Sequence, residues 1–148
     1  GGGGRGAVAR LAGLAGERGC GGAVIGGRVR AGVVRTDEMI EKVGRSIQVL
    51  DRDNTSAVGN VEAILERLIA EGKADAFFTC GSNRLVQLMK RLGKKHGIPG
   101  QVAMEQIMAC GLGPCYVCVK TFEVKGEKVL RRVCIEGPVF DLQEAVGW

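Results

Sequence analysis

Four cysteines between residues 110 and 134 constrain this chain more than any other feature of it. Cys110, Cys115, Cys118 and Cys134 follow the spacing C-x4-C-x2-C-x15-C. Three of them crowd one short loop, Cys110-Gly111-Leu112-Gly113-Pro114-Cys115-Tyr116-Val117-Cys118. No secretory signal pattern opens the sequence, and clustered thiols without signs of secretion favour metal over disulfides. A tight loop containing glycine lets several thiolates converge on one small object. It also bares backbone N–H groups that can hydrogen-bond to cluster sulfurs. Three ligands together and a distant fourth is the pattern of a plant-type [2Fe–2S] site. Structural zinc is the alternative, and four thiolates satisfy it chemically. Its commonest spacing, however, is two knuckles of paired cysteines, so the pattern here favours iron and sulfide.

Composition sets the frame around that site. The chain has 148 residues, 25 of them glycine, with 45% hydrophobic and 25% charged residues. The glycines follow no three-residue period, which excludes a collagen-like chain, and the apolar content excludes a disordered one. No apolar run approaches the ~18–20 residues of a membrane span. The net charge of +5 raises the question of nucleic acid. The basic residues are interleaved with acids from Arg5 to Arg132, and aromatics for base stacking make up 4% of the chain. That pattern describes a solvated surface, so no nucleic-acid partner is expected. A soluble, cytoplasmic protein is expected.

Along the chain, glycine-rich turns, short apolar runs and amphipathic stretches alternate as far as about Pro99. Helices are expected over 7–17 and from a cap at Thr36 or Asp37 to Val43. Strands are expected at Ala23-Val24-Ile25, ending at Gly26-Gly27, and at Ile47-Gln48-Val49-Leu50, before the polar loop 51–56. Val61, Ile64, Leu65, Leu68 and Ile69 fall on one face of a helix over 61–71, with Gly72 as its left-handed terminator. Ala76-Phe77-Phe78-Thr79 reads as a strand ending at Cys80-Gly81. Ser82 or Asn83 can cap the next helix, whose face is Leu85, Leu88, Met89 and Leu92. Such alternation indicates βαβ units and a parallel sheet. After Pro99 the texture changes to a strand over 101–104, the cysteine loop, and a hairpin over 121–130 turning at Lys125-Gly126. The expected division is an α/β domain over 1–100 and a small β-rich cluster domain over 101–148.

These residues together resemble a known family, the electron-transfer subunits of NAD-linked dihydroorotate dehydrogenase, within the ferredoxin-reductase-like flavoproteins. The resemblance is carried by Met108-Ala109-Cys110-Gly111-Leu112-Gly113-Pro114-Cys115, by Cys118, and by Arg132-Val133-Cys134-Ile135-Glu136-Gly137-Pro138-Val139-Phe140-Asp141. Upstream, Gly2-Gly3-Gly4-Arg5-Gly6 resembles the family's pyridine-nucleotide loop and Gly26-Gly27-Arg28 the end of its second strand. Cys80-Gly81 resembles the start of its nicotinamide-side Cys-Gly-Pro motif, with Ser82 in place of the proline. The resemblance implies a Rossmann-like nucleotide-binding domain lacking its first strand, followed by the [2Fe–2S] domain. It implies an electron relay from a flavoprotein partner through the cluster to NAD(P), in a hetero-oligomeric oxidoreductase complex of pyrimidine biosynthesis. The family's flavin barrel does not precede Gly1, and a glycine loop normally follows a strand. The sequence is therefore expected to continue a longer one, and FAD binding is expected only with that part or a partner. The other reading is a non-catalytic scaffold subunit with a degenerate nucleotide domain.

The candidate nucleotide contacts are thus Gly2, Gly3, Gly4, Gly6, Gly26, Gly27, Asp51, Cys80 and Gly81, where a dinucleotide meets the carboxyl ends of parallel strands. Tight turns and a solvated loop, which also takes in Asp53, explain the glycines and Asp51 equally well. Cys20 reads as a small buried residue. His96, the sole histidine, follows Lys94-Lys95 at a helix end, where positive charge meets the dipole favourably. Leu112, Pro114 and Tyr116 offer contact area beside the cysteines for a redox partner, and Trp148 can pack on the cluster domain or on that partner.

Overall fold

A computed structural model describes residues 23–27, 46–50, 57–80 and 82–147. They fall into two compact units divided between Ala76 and Phe77. The helices expected over 7–17 and up to Val43, and Cys20, Arg28, Asp53 and Trp148, lie outside the described residues.

In the N-terminal unit, β1 (Ala23–Gly27) pairs in parallel with β2 (Ser46–Leu50). Both strands stand where the apolar runs place them. Helix α1 (Val58–Ala70) begins three residues before the first periodic apolar position, because the Ala57 carbonyl already accepts from Asn60 and Val61 N–H. In the first turn Val58 is half-buried, while Gly59 and Asn60 are exposed and carry no apolar signal. Val61 and Leu65 are buried. Gly72 takes φ +65°, and the Lys73 N–H reaches back to the Leu68 carbonyl at 2.9 Å, closing the helix as its position predicts.

The C-terminal unit opens with a β–α–β passage. β3 (Phe77–Thr79) and β4 (Gly100–Ala103) run parallel, and helix α2 (Asn83–His96) between them packs against both. Ser82 stands at the N-cap but makes no side-chain cap bond. The buried stripe of α2 is Val86, Leu88, Leu92 and Gly93. Leu85 and Met89 of the expected face are only half-buried. His96 is exposed in the last turn with Lys94 and Lys95.

Beyond the cysteine loop, β5 (Val119–Val124) and β6 (Glu127–Arg132) form the expected hairpin. Lys125 and Gly126 both take positive φ, 53° and 86°, the signature of a two-residue turn whose twist matches that of the strands. A one-turn helix α3 (Val133–Glu136) follows, then β7 (Val139–Asp141), which lies antiparallel on β4. The sheet order is therefore β3-β4-β7, two parallel strands and one antiparallel edge. The alternation of strands and helices correctly predicts the parallel pair. β7 is not among the expected strands: of its three residues Phe140 alone is buried, whereas the equally short β3 buries both Phe77 and Thr79.

Phe122, wholly buried on β5, joins the hairpin to this sheet. Its ring lies 4.4 Å from that of Phe140 on β7, and its backbone bridges to Ala145. The Glu123 N–H donates to the Glu144 carbonyl at 2.8 Å, and Arg131 pairs with the Glu144 carboxylate at 2.7 Å. Lys90 and Gln143 stitch α2 to the same C-terminal segment, through the Ala145 and Lys90 carbonyls. The hairpin is thus tied to the sheet and the C-terminal segment, and Cys118 and Cys134 flank its base.

Candidate metal centre

The cysteine loop leaves β4 at Ala103 and enters β5 at Val119. It has no regular structure of its own. Three residues in it take left-handed conformations: Gly111 at φ 65°, Gly113 at 103° and Tyr116 at 55°. These reversals fold the loop on itself, so that thiols several residues apart in sequence meet. Cys118, at the loop's end, is 2% exposed, and its carbonyl accepts from the Val133 N–H at 3.2 Å. That bond crosses from the start of β5 to the start of α3, which carries Cys134. The Cys118–Cys134 approach is therefore a consequence of closing the hairpin.

The thiols form two neighbouring pairs. Cys110 Sγ accepts from the side chain and N–H of Cys115, and from the Leu112 N–H at 3.4 Å. Those donors, the Cys115 side chain first, hold the Cys110 thiol below its ordinary value of 9.0, at about 7. Cys118 Sγ accepts from the backbone N–H of Cys134 and then from its side chain, which lowers the Cys118 thiol. Cys134, hydrogen-bonded to that sulfur and facing the charges of Cys118 and Cys110, is pushed up. The charge of Cys110 also bears on Cys134, so the two pairs lie within electrostatic reach of each other. Among the described residues, no three His, Cys, Asp or Glu side chains converge tightly enough to hold a single ion as they stand. The chemistry of the donor set nevertheless suits an iron–sulfur cluster. Four soft thiols are available, and backbone N–H groups already aim at the sulfurs of two of them.

The lowered thiol gives a testable pH dependence in the metal-free protein. The folded chain favours the Cys110 thiolate relative to the unfolded chain, where the thiol titrates near 9.0. Its contribution to stability is therefore complete above pH 9.0 and is lost as the pH falls to about 7. Iodoacetamide should alkylate Cys110 with a half-maximal rate near pH 7, as peptide mass mapping would reveal. Cys80, whose thiol is raised by burial and by the nearby Glu105, should react only at higher pH.

Two residues of this site carry no signal in the cysteine spacing. Arg132, at the end of β6, reaches the Gly113 carbonyl, the Glu136 carboxylate and the face of Tyr116. Glu136 accepts the Arg132 backbone N–H at 2.7 Å. Their i,i+4 spacing across Cys134 is the one sequence signal that could have drawn attention to them.

Residues 105–146 match the iron–sulfur cluster binding domain of dihydroorotate dehydrogenase B. They belong to that family of domains. Over more of its length, the chain is similar to electron-transfer subunits named for dihydroorotate dehydrogenase B (NAD(+)). That of Caldanaerobacter subterraneus subsp. tengcongensis is 31% identical over 110 residues, 74% of this chain and 43% of the relative. That of Enterococcus faecalis is 34% identical over 107 residues, 70% of this chain and 40% of the relative. The chain thus spans about two fifths of the length of these relatives. Among solved structures, the chain resembles an NADH-dependent reduced ferredoxin-NADP oxidoreductase studied for flavin-based electron bifurcation. The TM-score is 0.61 at 25% identity, covering 83% of this chain and 43% of that one. The mixed α/β fold is shared with that protein. All four cysteines spaced for a cluster fall inside the stretch that matches the dihydroorotate dehydrogenase B domain.

The candidate nucleotide residues are only partly described. Gly26 and Gly27 close β1 opposite Val49 and Leu50, so the carboxyl ends of two parallel strands lie side by side. Gly2, Gly3, Gly4, Gly6, Asp51 and Gly81 lie outside the described residues. Cys80 follows β3 in the other unit and is half-buried. No helix among the described residues is long and apolar enough to cross a membrane.

Proposed function

We propose that this chain is the iron–sulfur and nucleotide-binding part of an electron-transfer subunit, carrying electrons between a flavoprotein dehydrogenase subunit and NAD(P)(H). The observation that carries this reading is the pairing of Cys110 with Cys115 on the loop and of Cys118 with Cys134 at the hairpin base, within the stretch that matches the cluster domain. Cys110, Cys115, Cys118 and Cys134 would hold a [2Fe–2S] cluster, which supplies reversible one-electron oxidation and reduction when bound. The chain's own part is to fix four thiolates, to direct N–H groups at their sulfurs, and to keep Cys118 dry. Residues 1–100 form in this reading a Rossmann-like domain, and residues 101–148 the cluster domain. NAD(P) would lie at the strand ends near Gly2, Gly3, Gly4, Gly6, Gly26, Gly27, Asp51, Cys80 and Gly81. FAD would be held by sequence beyond this chain or by the partner.

The surface beside the thiols supports a partner. Leu112 is 78% exposed, Tyr116 61% and Ile107 77%, an unusual amount of bare apolar side chain for one loop. Leu112→Glu is expected to weaken assembly with the flavoprotein roughly tenfold or more, without altering the visible spectrum of the cluster. Analytical ultracentrifugation of the reconstituted complex measures this. The function itself is tested by anaerobic addition of NADH to the assembled flavin-containing complex. Bleaching of the cluster's absorbance, with NAD(H) binding seen by calorimetry, is the expected result. A cluster that NADH never reduces, in a complex that binds no NAD(H), overturns the relay.

A further inference from the structure

We propose that Arg132 is a positioning residue that clasps the three-cysteine loop onto the helix bearing Cys134, and that its charge sets how readily the bound cluster is reduced. This rests on the four-cysteine reading above. Arg132 is the last residue of β6 and the N-cap of α3, two positions before Cys134. Its Nη1 donates to the Gly113 carbonyl at 3.5 Å. Its guanidinium carbon lies 5.2 Å from the centre of the Tyr116 ring. Its Nε is 3.6 Å from the Glu136 carboxylate, the group that also accepts its backbone N–H. One side chain therefore touches both flanks of Pro114-Cys115 while anchored to the helix of the fourth cysteine.

Energetics separate this role from ordinary surface pairing. The Arg132 and Glu136 side chains are 32% and 39% exposed, and an ion pair so open to water contributes little to global stability. What the contacts fix is local. Tyr116 holds a left-handed backbone that a non-glycine residue adopts at a cost, and the guanidinium lies over its ring. A lysine offers the same charge but no planar fork, so it cannot stack on Tyr116 while donating to Gly113 and pairing with Glu136. A cation beside a cluster also favours the reduced form, which carries one more negative charge.

The test compares R132Q, R132K and E136Q with the unaltered chain, each loaded with iron and sulfide. Iron release to a chelator and the midpoint potential are read by absorbance and EPR, with circular dichroism reporting the fold. R132Q should release iron about 10-fold faster or more and show a lower midpoint potential. R132K should keep a near-normal potential while still releasing iron faster. E136Q, which frees the guanidinium from its anchor, should fall between R132Q and the unaltered chain in release rate, and it carries the test with R132K should R132Q fail to fold. Variants that match the unaltered chain in release rate and in potential overturn the proposal. An unaltered chain that takes up no iron overturns the cluster reading itself, and this proposal with it.

Discussion

Cys118→Ser is expected to abolish cluster binding while leaving the fold intact. Cys118 is 2% exposed, and its sulfur accepts the Cys134 N–H. A serine hydroxyl is smaller, harder and far less acidic than a thiol, so it offers iron a poor ligand at neutral pH. The backbone bond from Val133 to the Cys118 carbonyl does not depend on the side chain, so the hairpin base still closes. Iron content should fall from about two atoms per chain to near zero, with unchanged far-ultraviolet circular dichroism. Cys115→Ser should behave alike, whereas Cys20→Ser and Cys80→Ser should keep the full iron complement. Retention of a normal cluster by Cys118→Ser would remove that residue from the ligand set.

Gly113→Ala is expected to have the second largest effect, through geometry alone. Gly113 sits at φ +103°, which costs a side-chain-bearing residue about 1–2 kcal/mol. The added Cβ would also lie 2.9 Å from Ile135 Cγ1 on α3, next to Cys134. Overpacking of that kind typically costs a further ~1–3 kcal/mol. The half-exposed Ile135 side chain can turn aside only in part, and the remaining strain lifts the loop from α3, moving the Cys110–Cys115 pair away from the Cys118–Cys134 pair. The expected result is a chain that folds but reconstitutes to well under half the iron content of its parent. Gly111→Ala is the control. Gly111 also has positive φ but meets no atom within 4 Å, so its effect should be the smaller. Equal effects at the two glycines would show that backbone strain, and not the contact with Ile135, governs the loop.

Much of this architecture is legible in the sequence, for physical reasons that differ by element. Helix α1 declares itself through Val61 and Leu65 and through Gly72, because one buried stripe and one left-handed terminator are local properties. The hairpin declares itself through Lys125-Gly126, which must both accept positive φ. The cysteine spacing singles out the four thiols as candidate ligands because their number and the loop length are written directly in the chain. What the sequence conceals is long-range. β7 pairs with β4 across some thirty-five residues, and its three residues carry no period of their own. The burial of Val86 in place of Met89 depends on how α2 sits on β3 and β4, which no single helix encodes. Arg132 is hidden for the same reason. Its partners Gly113 and Tyr116 lie 19 and 16 positions upstream, and only the closed hairpin brings them together. The sheet also joins residues 77–79 to residues 100–103 and 139–141, on both sides of the change in sequence texture near Pro99.

The central claim is that Cys110, Cys115, Cys118 and Cys134 hold a [2Fe–2S] cluster. The most direct measurement is iron and acid-labile sulfide content of the anaerobically purified chain, together with EPR after dithionite reduction. About two irons and two sulfides per chain, with a signal typical of a reduced [2Fe–2S] centre, is the result expected. Stoichiometric zinc in the natively prepared protein, with no iron taken up on reconstitution, would contradict it.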